Sequence, residues 1–281
     1  MLKISEQGLC FEALVPNYGY QAFGISPKGA LDQLSYQEAK ILLGEPNCNQ
    51  VIEIVYPPKF EFTQDSIFVL TGAAFEDAEL MYNSKSTHVP HATVIYAPRH
   101  SQLVLKKKQY GFRSYLAVSS LSDQNRERIG LKRGDFSQWF HWYKFNQPIR
   151  VIPAPELDIL KNQNDFFTAS WQISLHSDNM GLRLENANKL KYQVKSMISE
   201  AVSDGTIQLT QDGPIILLRH RQCTGGYPRI YNVISADIDM LAQFVPGQNI
   251  QFEEVMLDQA LALKNKKEAD LKAFKAFFIN T

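Results

Sequence analysis

Hydrophobic residues occur along the chain in short runs that are separated by turn-forming residues. In some runs they alternate with polar residues, as at Phe60 and Phe62 or at Ile250 and Phe252, which is the period of a half-buried strand. Other runs are continuously apolar, as in residues 215–218, which suits a strand covered on both faces. Together these patterns predict a chain made mainly of short β-strands.

The predicted strands form two series along the chain. The first series comprises residues 51–56, 59–62, 66–70, 93–96, 102–105 and 114–118. The second series comprises residues 166–175, 205–209, 214–219, 230–235 and 249–255. Because many short strands with few helices favour barrels or sandwiches, we predict a mainly β fold built from two β-rich units.

Three segments have the pattern of helices. Residues 30–43 carry apolar side chains on one broad face and lie between Gly29 and Gly44. Residues 237–244 predict a short helix. Residues 256–278 predict a long C-terminal helix with a charged middle and an apolar stripe at its end, which we interpret as packing on the body of the protein.

A polar and irregular stretch, residues 119–164, separates the two series and contains an aromatic cluster at residues 139–143. We interpret this stretch as the connection between the two units. The predicted organisation is an N-terminal β unit at residues 1–120, a connecting segment at 121–164, a C-terminal β unit at 165–255 and a helix at 256–281.

Composition narrows the classes of function. Lys plus Arg total 29 and Asp plus Glu total 29, so the chain lacks the basic excess typical of proteins that bind nucleic acids. The three cysteines (Cys10, Cys48 and Cys223) form no CxxC pair, which suits a reducing compartment. No apolar run approaches the ~20 residues that span a bilayer, and the first residues lack the apolar core of a signal peptide. We therefore expect a cytoplasmic protein whose ligands are small molecules or other proteins.

Several familiar catalytic motifs are missing from the sequence. It contains no GxxxxGK[ST] phosphate loop, no HExxH helix and no GxSxG elbow. If ATP is used, a partner protein is expected to bind it. His88 and His91 have a spacing that suits a metal ion, but no third ligand follows nearby, so no metal site is predicted.

The strongest local signal is the segment at residues 221–229, which lies between two predicted strands. Gly225 and Gly226 can take positive φ and let a ligand approach the backbone, whose successive N–H groups can hold an anion. Thr224 adds a hydroxyl group, and Tyr227 adds a ring that can wall a pocket. A tight turn between strands explains the same residues, and the pattern by itself leaves both interpretations open.

Two weaker candidates occur elsewhere. Thr71, Gly72 and Ala73 follow a predicted strand, where backbone N–H groups can stabilise an oxyanion. Asp178 and Arg183 share one loop and can orient a polar substrate, although an Asx turn closed by Asp178 accounts for the same loop.

Residues 222–228 resemble the QTTGGYP signature of a biotin-dependent carboxyltransferase-like family, whose members are variously called allophanate hydrolase subunit 2, KipA or the C subunit of 5-oxoprolinase. The family also forms the carboxyltransferase part of urea carboxylase. Further segments match its motifs in order, at residues 19–32, 70–73, 115–118, 177–183, 198–200, 205–208 and 242–247. The resemblance extends from about Gly19 to Phe252.

The resemblance implies two cyclophilin-like β-barrels in one chain. It also implies that this chain is one subunit of an ATP-dependent 5-oxoprolinase. That enzyme opens the lactam of 5-oxoproline to glutamate, and its other components are an A subunit and a KipI-like B subunit. No cofactor is expected in this chain, and ATP or biotin would act only through partner subunits. Backbone N–H groups near Gly72, Ala73, Gly225 and Gly226 would stabilise an oxyanion, and the substrate would be oriented by Gln222, Thr224, Asp178 and Arg183.

The chain departs from the family pattern at several places. Residues 12–20 lack the usual QDxGRxGY pattern, and residues 119–124 replace a glycine-rich loop. Asn179 stands where the family has arginine, and His220 where aspartate is common; asparagine cannot make the bidentate contacts of a guanidinium group. Two alternatives are therefore kept: a non-catalytic regulatory protein of the KipA type, and a divergent carboxyltransferase of the urea carboxylase type that receives carboxybiotin from another chain.

Overall fold

The computed structural model describes residues 1–4, 6–45, 48–134, 146–186, 190, 192 and 197–279. The aromatic cluster at residues 139–143 lies outside these ranges. The described residues form two compact units. The first unit draws on Met1–Leu14, Asp32–Trp139 and Asp270–Thr281, and the second on Val15–Leu31 and Phe140–Ala269.

The first unit contains two five-stranded antiparallel sheets. Its strands are β1 (Leu2–Ile4), β2 (Leu9–Glu12), β3 (Gln50–Tyr56), β4 (Phe60–Phe62), β5 (Ser66–Phe75), β6 (Ala78–Tyr82), β7 (Lys85–His88), β8 (Ile95–Ala97), β9 (Gln102–Leu105) and β10 (Lys108–Ser120). The sheet orders are β1-β4-β9-β6-β7 and β2-β3-β10-β5-β8. Phe60 and Phe62 from the first sheet share one buried cluster with Phe68 and Leu116 from the second, so the two sheets enclose a common core.

Helix α1 (Gln33–Leu43) lies beside β5 and β10 in the first unit. It begins at Asp32, whose side chain accepts a hydrogen bond from Ser35 N at 2.9 Å and so caps the first turn. Leu34, Ile41 and other apolar residues on its inner face are buried. Burial of this apolar face explains why the sequence pattern predicts the helix.

The second unit is built around one eight-stranded sheet. The strands of the whole unit are β11 (Ile149–Pro153), β12 (Trp171–Ile173), β13 (Gly181–Glu185), β14 (Glu200–Ala201), β15 (Thr206–Thr210), β16 (Gly213–Leu217), β17 (Thr224–Gly225), β18 (Arg229–Val233), β19 (Asn249–Ile250) and β20 (Phe252–Glu254). The sheet order is β19-β12-β13-β16-β15-β18-β11-β20, and β14 pairs with β17 separately. The two edge strands, β19 and β20, are separated in sequence by Gln251 alone, so the sheet curls until its edges nearly meet. This nearly closed sheet is a barrel.

Aromatic side chains fill the barrel of the second unit. Phe166 stacks against Tyr231 and Phe252, with ring centroids 5.0 and 4.7 Å apart, and lies 5.5 Å from Trp171. All four belong to one buried cluster. The mainly β fold with two barrel-like units and few helices, which the sequence predicted, is confirmed.

The described part of the chain contains three further α-helices: α2 (Asn164–Thr168), α3 (Ile238–Leu241) and α4 (Leu257–Ile279). Helices α1, α3 and α4 lie where helices were predicted. Helix α2 occupies the start of the predicted strand 166–175, and the strand itself is confined to β12. The reason is local: Asn162 Oδ1 accepts from Asn164 N at 3.2 Å, and Phe166 O accepts from Trp171 Nε1 at 2.9 Å, which closes a short helical turn.

The division into units differs from the boundaries expected at residues 120, 164 and 255. Val15–Leu31 belongs to the second unit although it lies near the start of the chain, and Leu31 is part of that unit's core. Strand β11 lies inside the expected connecting segment and pairs with β18 and β20. These memberships depend on contacts between residues far apart in sequence, which a local hydrophobic pattern does not record. Within the described ranges, no helix is long and apolar enough to cross a bilayer.

Candidate functional site

The glycine-rich segment at residues 222–228 is an excursion between β16 and β18 of the second unit. It contains strand β17, which pairs Thr224 with Ala201 and Gly225 with Glu200 in β14. Gln222, Thr224 and Tyr227 are exposed, and their polar groups are therefore accessible to a ligand. The segment is a paired strand and turn, longer than the tight turn that the sequence allowed.

The two glycines are required for a different reason from the predicted one. Neither Gly225 nor Gly226 has a left-handed backbone, so the expectation of positive φ is wrong. A Cβ atom on Gly225 would lie 2.7 Å from Nε2 of Gln208, and one on Gly226 would lie 2.9 Å from the carbonyl oxygen of Met197. Close approach of neighbouring groups, rather than backbone conformation, excludes a side chain here.

Backbone carbonyls of this segment are held by groups behind it. Gln208, which is buried on β15, donates from Nε2 to Tyr227 O at 3.1 Å. Met197 N donates to Gly226 O at 3.2 Å. These two hydrogen bonds fix the backbone of the segment, while Thr224 and the Tyr227 ring are exposed to solvent.

Two buried arginines lie immediately before the segment. Arg221 pairs through Nε with Asp204 Oδ1 at 2.9 Å and donates from Nη1 to Gln222 O at 3.1 Å. The other oxygen of Asp204 accepts a hydrogen bond from the hydroxyl of Tyr18. Burial, and then this hydrogen bond, raise the pKa of Tyr18 to about 12, so the phenol stays protonated.

Arg219 belongs to a second ion-pair chain. Its Nη2 lies 3.0 Å from Asp239 Oδ1, and the Oδ2 atom of Asp239 lies 2.8 Å from Lys267 Nζ in α4. Arg219 also donates to the carbonyl of Leu31. Next to it, a ring nitrogen of His220 lies 2.8 Å from the carbonyl oxygen of Gly29. These contacts tie Val15–Leu31 to the loop that carries the segment, all within the second unit.

Asp178 forms the Asx turn that was the simpler interpretation of its loop. Its Oδ1 accepts from Met180 N at 2.8 Å and Gly181 N at 3.2 Å. Arg183 lies on β13 with an exposed side chain. The loop lies beside the arginine-bearing stretch, because Leu218 N donates to Met180 O at 2.9 Å.

Thr71, Gly72 and Ala73 lie on β5 in the first unit, whereas the other seven predicted site residues lie in the second. Thr71 is buried and donates from Oγ1 to Ser35 O at 2.7 Å. Ala73 is buried, and its carbonyl accepts from Ser114 Oγ at 2.8 Å. Gly72 is partly exposed and has a left-handed backbone, with φ of 76°.

A buried polar cluster surrounds Gly72. Glu38 on α1 pairs with Arg133 Nη1 at 2.7 Å, and Nη2 of Arg133 lies 3.0 Å from His91 Nδ1. The other ring nitrogen of His91 lies 3.1 Å from Gly72 O. Burial, reinforced by the charge of Arg133, lowers the pKa of His91 to about 3. Burial raises the pKa of Glu38 to about 7, in spite of the opposing effect of Arg133.

A second buried pair lies in the same unit. Arg113 Nε is 3.0 Å from Glu53 Oε1, and the hydroxyl of Tyr115 donates to Glu53 Oε2 at 2.9 Å. That hydroxyl in turn accepts from Asp32 N at 2.8 Å. Buried ion pairs of this kind occur both at functional sites and in purely structural networks.

Comparison with known proteins assigns the chain to a family. The family model for the carboxyltransferase domain, subdomain A and B, matches residues 23–130 and 120–254. The chain belongs to this carboxyltransferase family. Among curated proteins, the C subunit of 5-oxoprolinase from Haemophilus influenzae is 32% identical and that from Escherichia coli 31% identical. Each alignment covers 89% of this chain and 90% of the relative.

More distant relatives of this carboxyltransferase-family chain are larger. Urea amidolyase of Saccharomyces cerevisiae is 21% identical over 91% of the chain, which covers 16% of that enzyme. The crystal structure of TTHA0988 matches with a TM-score of 0.72 at 20% identity, covering 90% of this chain and 55% of the other. The K. lactis urea amidolyase structure matches with a TM-score of 0.77 at 19% identity, covering 97% of this chain and 20% of the other. These structures show the fold.

The hydrophobic pattern of this carboxyltransferase-family chain does not show its buried charges. The polar and charged residues that take part in these ion pairs and hydrogen bonds are Tyr18, Glu38, Glu53, Arg113, Arg133, Asp204, Gln208, Arg219, Arg221 and Asp239. Some of them left a signal: Glu38 interrupts the apolar face of α1, and Glu53 interrupts the apolar run of β3. A charged residue at a position that periodicity assigns to the core is expected to be paired.

No cluster of three or more His, Cys, Asp or Glu side chains that suits a metal ion occurs among the described residues. His88 is exposed on β7, whereas His91 contacts Arg133 and Gly72. The two histidines therefore lie in different environments, in spite of their close spacing in the sequence.

Proposed function

We propose that this chain is the C subunit of a 5-oxoprolinase, which opens 5-oxoproline to glutamate together with its companion A and B subunits. The observation that carries the proposal is the sequence identity of 32% and 31% to two proteins of that name. Each alignment covers 89% of this chain and 90% of the relative.

Opening an unstrained lactam needs an activated carbonyl and donors for the oxyanion that develops. ATP is assigned to the companion subunits, because the sequence contains no phosphate loop of its own. The carboxylate of 5-oxoproline suits the exposed guanidinium group of Arg183. The side chains of Gln222 and Thr224 would orient the lactam, with the Tyr227 ring as an apolar wall and Asp178 shaping the loop.

In the second unit, the backbone near Gly225 and Gly226 is proposed to supply oxyanion donors. In the first unit, the backbone near Gly72 and Ala73 is a separate candidate for the same role. Thr71 contributes structure rather than a free hydroxyl, because its Oγ1 donates to Ser35 O. The cytoplasm is the proposed location, in keeping with three free cysteines.

Reconstitution tests the proposal. The chain is purified and mixed with the A and B subunits of the same organism, and glutamate formation from 5-oxoproline is measured with and without ATP. We expect ATP-dependent hydrolysis only when all three proteins are present. Full activity of the mixture without this chain would contradict the proposal. A stable complex with the B subunit that never turns over any cyclic amide would favour the regulatory alternative of the KipA type.

A carboxyltransferase role is the second candidate, because the urea amidolyase relative aligns with 91% of this chain. Under this alternative the chain receives a carboxyl group from biotin carried by another protein. Recovery of biotinylated protein with the tagged chain, together with transfer of labelled bicarbonate to a small amide, would support this role over lactam hydrolysis.

A further inference from the structure

Beyond the end of strand β8, the carbonyl of Gly72 on β5 is hydrogen-bonded by a side chain, that of His91, and not by backbone. The register of β5 with β8 pairs Phe68 with Ile95, and its extension would place Gly72 opposite His91. Ala92 breaks this extension, because its φ of 49° lies in the left-handed region. Ala92 N still donates to Leu70 O at 2.8 Å. The next carbonyl on the same side of β5, that of Gly72, is met by the imidazole of His91 at 3.1 Å.

The contacts of His91 define its tautomer. Arg133 is permanently charged and carries donors but no acceptor, so its Nη2 donates to Nδ1 of His91. Nδ1 is therefore the unprotonated nitrogen. The proton resides on Nε2, which donates to the carbonyl of Gly72. A doubly protonated ring would direct an N–H at the guanidinium group, which the charge of Arg133 opposes.

Arg133 is itself fixed from two sides. Its Nη1 pairs with Glu38 at 2.7 Å, and its backbone N donates to Ala92 O at 3.0 Å. Tyr110 packs edge-on against the imidazole, with ring centroids 6.1 Å apart. Among the described residues, the charged or titratable groups near His91 include Arg133, Tyr110 and, beyond Arg133, Glu38, which also feels the charge of Asp32.

The hydrogen bond from His91 determines which way the peptide between Gly72 and Ala73 faces. A trans peptide directs its C=O and N–H to opposite sides, so the N–H of Ala73 points away from His91. The carbonyl of Ala73 accepts from Ser114 Oγ of β10 at 2.8 Å. The ladder between β5 and β10 shifts register here, between Tyr110 and Ser114. Two side-chain donors, from opposite directions, thus hold two successive carbonyls.

We propose that His91 is a positioning residue, a neutral Nε2–H donor that holds the Gly72–Ala73 peptide so that the Ala73 N–H faces the irregular part of the β5–β10 ladder. Arg133 selects the tautomer and Glu38 holds Arg133. His91 is thus neither an acid–base group nor a metal ligand. The consequence for catalysis rests on the proposed function, whereas the tautomer does not.

The tautomer is tested on the full-length wild-type chain. Histidine labelled with ¹⁵N in the ring is incorporated, long-range ¹H–¹⁵N spectra are recorded from pH 5 to pH 8, and the His91 signals are assigned by their loss in His91→Gln. We expect one ring that keeps the Nε2–H pattern unchanged across this range. A His91 ring that carries its proton on Nδ1, or that titrates between pH 6 and pH 7, would overturn the proposal.

The consequence is tested in the reconstituted complex. His91→Leu removes the donor, and we expect kcat to fall by about tenfold to a hundredfold while KM changes by less than about threefold. His91→Gln keeps an N–H donor and an acceptor, and should restore kcat to within about fivefold of wild type. His88→Leu, a change at an exposed histidine three positions earlier, is the matched control and should leave kcat unchanged.

The outcomes separate the two proposals. If the wild-type chain supports no hydrolysis, the proposed function fails, and the ¹⁵N spectra still decide the tautomer. If the wild type is active and His91→Leu keeps kcat within about twofold, the positioning role is wrong. Equal losses in His91→Leu and His91→Gln would also count against it, because they would indicate a role that needs the ring itself rather than its donor.

Discussion

Gly225 and Gly226 show how a residue choice follows from its neighbours. Neither has a left-handed backbone, yet a Cβ on either would approach another group more closely than real Cβ atoms do. For Gly225 the neighbour is the side chain of Gln208, and for Gly226 it is the backbone carbonyl of Met197. A side-chain neighbour can be removed by mutation, whereas a backbone neighbour cannot. A second mutation can therefore relieve the crowding caused by a side chain at position 225, but not the crowding caused by one at position 226.

We predict coupling between Gly225 and Gln208. Gly225→Ala should lower the free energy of unfolding by about 1–3 kcal/mol through overpacking. Gln208→Ala should also destabilise, because Tyr227 O loses its donor. In Gly225→Ala/Gln208→Ala the crowding is removed, so the double variant should be more stable than the sum of the single effects by about 0.5–3 kcal/mol.

Denaturant unfolding of the four proteins measures this coupling. Gly226→Ala with the same Gln208→Ala change is the matched control, and its effects should add, since the crowding atom belongs to Met197. Strict additivity for the Gly225 pair would show that the strand moves away from Gln208 instead.

Helix α1 carries a buried carboxylate on its inner face. Glu38 is wholly buried and pairs with Arg133, yet burial raises its pKa to about 7. In the unfolded chain an ordinary glutamate ionises near pH 4.3. Between these values the folded state holds a proton that the unfolded state has released. The stability of the protein should therefore fall as pH rises through this window.

We predict that Glu38→Gln removes this pH dependence. The variant is destabilised overall because Arg133 loses its ionisable partner, so the slope rather than the absolute stability is the measurement. The difference in unfolding free energy between wild type and variant should shrink by on the order of 1–3 kcal/mol from pH 4.5 to pH 7.5. Denaturant titrations at several pH values measure it.

The control for this experiment is Glu268→Gln, at an exposed glutamate of α4. Its curve should run parallel to that of wild type. A Glu38→Gln curve that is also parallel would mean that Glu38 remains ionised beside Arg133 throughout this range.

The largest features of the molecule join residues that are distant in sequence. In the second unit, edge strands β19 and β20 approach one another around the barrel. In the first unit, the end of α4 contacts the residues that follow α1 and those that follow β10. Lys275 Nζ lies 2.9 Å from Glu45 Oε2, and Arg128 Nη2 donates to Phe278 O at 3.2 Å. Phe274 and Phe278 are fully buried there.

We predict that the last turns of α4 are required for the stability of the first unit. Phe274→Ala should lower its free energy of unfolding by about 3–5 kcal/mol, the usual cost of deleting a buried phenylalanine. Phe277→Ala is the matched control. It should cost less than about 1 kcal/mol, because that ring is 41% exposed. Thermal melts of the two variants measure the difference, and equal losses would contradict the assignment of the buried face.

Hydrophobic periodicity was sufficient to predict the mainly β fold and the positions of helices α1, α3 and α4, because it shows which face of each element is buried. The motif order was sufficient for the family, as the comparisons show. The strand predicted at residues 166–175 was wrong in its first half, since Asn162 and Trp171 close a helical turn through side-chain hydrogen bonds. The glycine rationale was wrong for a similar reason: the crowding neighbours, Gln208 and Met197, are distant in sequence.

What the sequence determined by itself is therefore local: the alternation that makes strands, the apolar faces of helices, and a signature carried by consecutive residues. Only the tertiary structure decided that Val15–Leu31 belongs to the second unit, that His91 donates to Gly72, and that Arg219 and Arg221 are neutralised by Asp239 and Asp204. The physical reason is that burial of a charge or a polar group must be compensated by partners that the fold brings together. These partners lie 17 to 20 residues apart along the chain, beyond the reach of a local pattern.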